Sequence, residues 1–170
     1  REDLVDKEWL VTNGLGGYAS GTIAGVVTRR YHGLLVAALA NPFGRTMMLD
    51  HLVEQVQLPD GTQKRLSADE HVSGMTPQGG ELLQEFRLEM GLPVWIYRVD
   101  EFTVEKRLIL AYMQNTVYLR YRLLDAPNAT SDGQRERSLV LSLRPAMHFR
   151  PHDAPVSRPM DAYTLSLVGN

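Results

Sequence analysis

The chain contains no cysteine. That excludes disulfides, thiolate nucleophiles and cysteine-ligated metal sites. Charge of one sign is also lacking: 18 Lys and Arg face 20 Asp and Glu, a formal net charge of -2. The signs are interspersed, so no overall attraction to nucleic acid or to an anionic membrane is expected. No apolar run is long enough to span a bilayer, and Arg1 to Leu10 is too polar for a signal peptide. The lack of cysteine makes a cytoplasmic location the default expectation. No His-Glu-x-x-His, Gly-x-Ser-x-Gly or phosphate-loop Gly-Lys-Ser/Thr occurs, so metalloprotease, serine-hydrolase and nucleotide-hydrolase chemistry have no motif to stand on.

What is present is a period of two. Val117, Leu119, Tyr121 and Leu123 alternate with Tyr118, Arg120 and Arg122, the pattern of a half-buried strand. Phe102 to Leu110 repeats it with one polar intruder, Lys106, whose amine is expected to reach water along its own stem. Ser138–Leu143, Ala162–Leu167 and Val53–Leu58 alternate too, and Leu34–Leu39 is continuously apolar like a central strand. Turn signals divide these runs. Asp60-Gly61 marks a hairpin, Gly91-Leu92-Pro93 and Asp100-Glu101 bound Val94–Val99, and loops are expected over Thr76–Gly80 and Ala126–Arg137. Glu81–Met90 has helical propensity, but the hairpin partner that follows favours a strand. Arg150–Met160, with its prolines, reads as an irregular crossing. Short strands without βαβ alternation predict an all-β sandwich or barrel. With 170 residues, 44% of them hydrophobic, one domain with a sizeable core is expected. Starting at Arg1 and stopping after a strand-like run, the chain reads as a piece cut from a longer protein.

The most distinctive stretch is Glu8-Trp9-Leu10-Val11-Thr12-Asn13-Gly14-Leu15-Gly16-Gly17-Tyr18, continued by Arg29-Arg30-Tyr31-His32-Gly33. Gly14, Gly16 and Ala19 match the spacing of a dinucleotide fingerprint. However, Ser20 to Thr28 is too rich in glycine and β-branched residues for the helix that fingerprint requires, and no acid follows at ribose distance. Two readings of the glycines stay open. They allow a tight backbone path, or that path presents amides and the side chains of Asn13 and Tyr18 to a ligand or a second domain. Arg29, Arg30, Tyr31 and His32 combine a planar donor fork, an aromatic face and a neutral imidazole, a set able to line a carbohydrate site. As a strand, only alternate members would share a face.

Other candidates are weaker. Glu8, Glu54, Glu85 and Glu105 carry no spacing that names an acid–base pair, and Glu54 and Glu105 read as cross-strand partners, so no catalytic residue is assigned. His148, His152 and Asp153 do not make a convincing metal set, and neither a metal nor a cofactor is expected. Trp95 and Tyr97 share a strand face and are the best pair for stacking on sugar rings, although aromatics in sheets are more often core.

The blocks Glu8 to Tyr18 and Thr28-Arg29-Arg30-Tyr31-His32-Gly33-Leu34-Leu35-Val36 resemble the opening of the amino-terminal domain of bacterial and archaeal glycogen debranching enzymes. Weaker similarities follow in order at Gly44-Arg45, Leu49, Glu54, Phe86, Trp95, Tyr97, Glu105-Lys106, Asn115-Thr116-Val117, Tyr121 and Leu143-Arg144-Pro145. Where the family carries Arg-Asp-x-His, this chain has Arg150-Pro151-His152-Asp153. The resemblance implies a large, supersandwich-like antiparallel β-sandwich over residues 1–170, cut at its carboxyl end. It places the catalytic carboxylates in a following (α/α)6 barrel outside the chain. The implied parent is an amylo-α-1,6-glucosidase, a hydrolase of α-1,6 branch bonds. The implied partners are that barrel and glycogen or malto-oligosaccharide. Asn13, Gly14, Gly16, Gly17, Tyr18, Arg29, Arg30, Tyr31 and His32 become the expected substrate-binding or barrel-facing edge. An independent glycan-binding module and a purely structural packing domain are the alternatives.

Overall fold

Side chains that alternate between apolar and polar fold into strands that bury one face, and the computed structural model, which describes residues 3–67, 80–126 and 138–155, is built almost wholly of them. A single helical turn, α1 (Asp3–Asp6), leads into β1 (Glu8–Thr12), β2 (Tyr18–Thr22), β3 (Gly33–Ala38), β4 (Arg45–Gln57) and β5 (Gln63–Arg65). These are followed by β6 (Leu83–Glu89), β7 (Leu92–Val99), β8 (Phe102–Leu110), β9 (Val117–Asp125) and β10 (Val140–Pro151). Two antiparallel sheets result. One runs β1-β2-β3-β4-β10, with β5 also paired to β4; the other is the meander β6-β7-β8-β9. The expected all-β antiparallel sandwich is therefore observed.

Local chemistry explains the connections. Asp60 accepts the Thr62 amide and Gly61 takes φ 86° in the β4–β5 turn, as the Asp-Gly signal requires. Met90 and Gly91, both at positive φ, form a two-residue turn between β6 and β7. The expected strand over Glu81–Met90 is present as β6, and its helical propensity is overridden by pairing with β7. Two expectations were too short. β4 begins at Arg45 rather than Val53, and β10 continues to Pro151 because it pairs with β4 along nearly its whole length. Arg150 thus lies in a strand, not an irregular crossing. Register shifts near Met47 and Leu49, on both flanks of β4, let so long a strand bend. The expected loops over 76–79 and 127–137, residues 156–160 of the expected crossing, and the run Ala162–Leu167 lie outside the described residues.

The sheets meet on Trp9 and Trp95, whose rings pack edge to face at 5.4 Å, with Phe86 against Trp95. Each indole N–H is satisfied, Trp9 by the Thr22 carbonyl and Trp95 by that of Ile23. Lys106 departs from expectation. It is 6% exposed, and its ammonium lies 2.8 Å from the fully buried Glu54 carboxylate, across the sandwich from β8 to β4. The same ammonium sits 5.0 Å from the Trp95 ring centroid, and the Tyr121 hydroxyl donates to Glu54. The amine is drawn inward because a buried carboxylate and an aromatic face compensate the lost hydration. Glu54 is therefore an inter-sheet partner rather than an in-sheet one. Burial, reinforced by Glu54, pushes the Tyr121 hydroxyl far above its usual pKa, so it acts only as a neutral donor.

Breaking such a pair costs more than replacing it. Glu54→Ala should lower unfolding stability by about 3–5 kcal/mol in urea titration, whereas Glu54→Leu combined with Lys106→Met should lose much less. Equal losses would contradict the pairing.

Candidate functional site

The glycine-rich segment closes the β1–β2 hairpin, and its geometry follows from one side chain. Asn13 is fully buried. Its Oδ1 accepts the amides of Leu15 and Gly17 at 3.0 and 2.9 Å, and its Nδ2 donates to the Gln114 carbonyl at 2.8 Å. Its backbone pairs with Gly17 on one side and with Met113 on the other. Asparagine is apt here because its side chain mimics a peptide group. Gly14 and Gly16 take φ 81° and 97°. Gly17 is required for space instead: a Cβ there would lie 2.7 Å from Asn13 Nδ2 and 2.8 Å from the Val36 carbonyl. The loop joins two antiparallel strands, so no helix amino terminus faces it and a pyrophosphate cradle is not formed.

Asn115 completes this arrangement from the β8–β9 turn. Its amide group exchanges hydrogen bonds with both the N–H and the C=O of Ala38, at 2.9 and 2.8 Å. Three connections, 13–17, 39–44 and 111–116, are thereby fastened at one end of the sandwich. Their tips are apolar and exposed: Leu15, Leu39, Phe43, Tyr112 and Met113.

The second block is not a strand. Arg29 to His32 is a turn closed by the His32 amide on the Arg29 carbonyl at 2.9 Å. The alternation expected of a strand is therefore lost, because carbonyls in this turn point back into the fold and are held there. The Tyr31 carbonyl accepts from the Tyr18 hydroxyl and from Ser20, and the Arg30 carbonyl from Arg150. Arg150 is buried and also donates to the carbonyls of Pro151, His152 and Ala154. His152 meets the Tyr18 hydroxyl at 3.1 Å, and His148 accepts from Arg150. Among the described residues, no group of three or more His, Asp or Glu could hold a metal.

Arg29 pairs with Glu8, which lowers the Glu8 carboxyl pKa. His32 is 1% exposed. Its Nδ1 accepts the Thr28 amide, which leaves the proton on Nε2, 3.5 Å from Glu8 and without a hydrogen-bond partner. Burial, opposed by Glu8, holds this imidazole below its ordinary value.

Between the blocks lies an open groove of about 440 Å³ on the outer face of β1 and β2, lined by Glu8, Leu10, Thr12, Tyr18, Tyr31 and Arg45, among others. It is within the roughly 300–1,000 Å³ of small-ligand sites. Of the expected site residues, Tyr18 and Tyr31 border it together with Gly16; Asn13, Gly17 and His32 are buried beneath or beside it, and the Arg29 side chain extends from the rim onto Glu8. Trp95 and Tyr97 are not sugar platforms in this structure. Each is 3% exposed in the core, on the inward face of β7, and stacking needs an open ring face. Arg45, Asn115 and Arg150 escaped site assignment because their partners lie far away in sequence. Asn115 before a strand was the only local signal.

The geometry defines an all-β sandwich domain with a rigid loop end and a lateral groove. A family model for the N-terminal part of glycogen debranching enzyme matches residues 7–164, and the chain belongs to that family. No curated protein and no solved structure matches it.

Two measurements test the site. Asn13→Ala strands several buried amide and carbonyl groups and should destabilise the fold by at least about 2 kcal/mol, read by thermal melts. For His32, the folded pKa is below the unfolded value of 6.5. The stability it contributes is thus complete above pH 6.5 and lost as pH falls from there through the folded pKa. Melting temperatures should drop more steeply for wild type than for His32→Asn as pH falls from about 7.5 to 5.5; parallel profiles would refute this.

Proposed function

We propose that this chain is the accessory amino-terminal domain of a debranching glycoside hydrolase. In this reading it packs its loop end against the domain that carries the catalytic carboxylates and so braces it. The observation that carries the reading is the pairing of rigidity with apolarity at that end. Phe43 and Tyr112 are 68% and 78% exposed, yet the connections that bear them are fastened by Asn13 and Asn115. Exposed aromatics on fixed backbone lose little entropy on docking, and clustered apolar tips mark contact surfaces. Family membership supplies the occupant, because debranching of glycogen needs a pair of carboxyl groups at the scissile bond. Here Glu8 is engaged by Arg29, Glu54 by Lys106, Glu85 by Arg87, and Glu105 by Arg107. The parent reaction in this proposal is hydrolysis of α-1,6-glucosidic branches.

The purified chain should release no glucose from a branched α-dextrin. In the enzyme in which this chain precedes its catalytic domain, Phe43→Asp with Tyr112→Asp should lower the temperature at which debranching is lost by several degrees. Met90→Asp, on the β6–β7 turn, should leave it unchanged. Glucose release that co-purifies with the isolated chain, or identical behaviour of the two variants, would sink the proposal.

A further inference from the structure

We infer that the groove on the outer face of β1 and β2 is itself a binding site for a linear α-1,4-glucan segment, with Tyr31 as its platform. The choice of α-glucan rests on the debranching reading above; the location rests on the groove alone. Saccharides present apolar C–H faces and rings of hydroxyls without charge, and a site for them needs an accessible aromatic or apolar surface beside uncommitted donors and acceptors.

The groove supplies both. Tyr31 is 40% exposed and Leu10 is 62% exposed; both line it. The Tyr31 ring is held on a pedestal: its carbonyl accepts from Tyr18 and Ser20, and the His32 ring meets it edge-on at 5.5 Å. Arg45 donates its Nε to the Gly16 carbonyl, at 2.8 Å, and among the described residues its Nη atoms have no other partner, so its planar fork can address adjacent hydroxyls. Glu8 engages Arg29 and His32 through Oε1 and brings its carboxylate to the wall of the groove. The hydroxyls of Tyr31 and Thr12 make no hydrogen bond among the described residues. These groups run from Glu8, at the start of β1, to Arg45 at the start of β4. An extended chain fits such a path better than a single sugar does. Glu8 is already neutralised by Arg29, and among the described residues that line the groove Arg45 is the cation that could draw an anion instead.

Isothermal titration of the 170-residue chain with maltoheptaose tests this. Saturable binding is expected, weakened at least tenfold by Tyr31→Ala, a few-fold by Thr12→Val, and little by Tyr31→Phe, with thermal melts confirming that each variant is folded. A flat wild-type titration overturns the inference, and so does a Tyr31→Ala titration that matches wild type. Equal affinity for cellohexaose overturns the choice of α-glucan, and tighter binding of inorganic phosphate makes Arg45 an anion site instead. Failure here leaves the loop-end reading intact, because that reading is measured by heat inactivation of the complete enzyme and by Phe43 and Tyr112, which do not line the groove.

Discussion

Everything at the loop end of this domain depends on two asparagine side chains that take the place of missing backbone partners. Strands stop pairing where a hairpin turns, and their last amides and carbonyls need other partners. Asn13 answers the amides of its own loop and reaches the carbonyl of Gln114 in the β8–β9 turn of the opposite sheet. Asn115 answers Ala38 from that sheet with both of its amide atoms. Each is within hydrogen-bonding distance of the other, at 3.2 Å. The two sheets are thus joined by directional bonds at this end, whereas in the middle they are joined by Trp9, Trp95 and the Glu54–Lys106 pair. Hydrophobic contact alone permits sliding; paired amides fix the offset between the sheets.

That offset decides what the surface offers. With the loops held, apolar tips face outward at one end. The groove lies to the side, on strands whose alternation sends Trp9 and Val11 inward and Glu8, Leu10 and Thr12 outward. The turn that carries Tyr31 is secured from a third direction by Arg150, the buried cation near the end of β10. The outer face and the core are therefore made by alternate residues of β1.

Much of the sandwich was legible in the sequence, because period-two alternation and the turns Asp60-Gly61 and Gly91-Leu92-Pro93 are local signals. β8 and β9 fall almost where alternation put them. The glycine loop was legible as a turn, and the family blocks as a signature. Three features were not. Lys106 seemed bound for solvent, because its partner Glu54 is on another sheet. Whether Arg29 to His32 is strand or turn could not be read locally, because nothing nearby reveals that its carbonyls are claimed by Tyr18, Ser20 and Arg150. Trp95 and Tyr97 share a face as expected, but which face turns inward is set by the opposing sheet. In each case the missing information was tertiary.

The placement of β4 has a consequence for how the chain is made. This strand pairs with β3 and β5 on one flank and with β10 on the other, where Gln57 meets Val140 and Thr46 meets Pro151. A chain emerging from the ribosome can close the first flank early, from neighbours in sequence. The second stays open until the whole β6–β9 meander and then residue 151 have been synthesised. During that interval a long hydrogen-bonding edge is available to any passing strand. Assembly of the domain is therefore slowest, and most exposed to mispairing, at the strand that holds the sheet together.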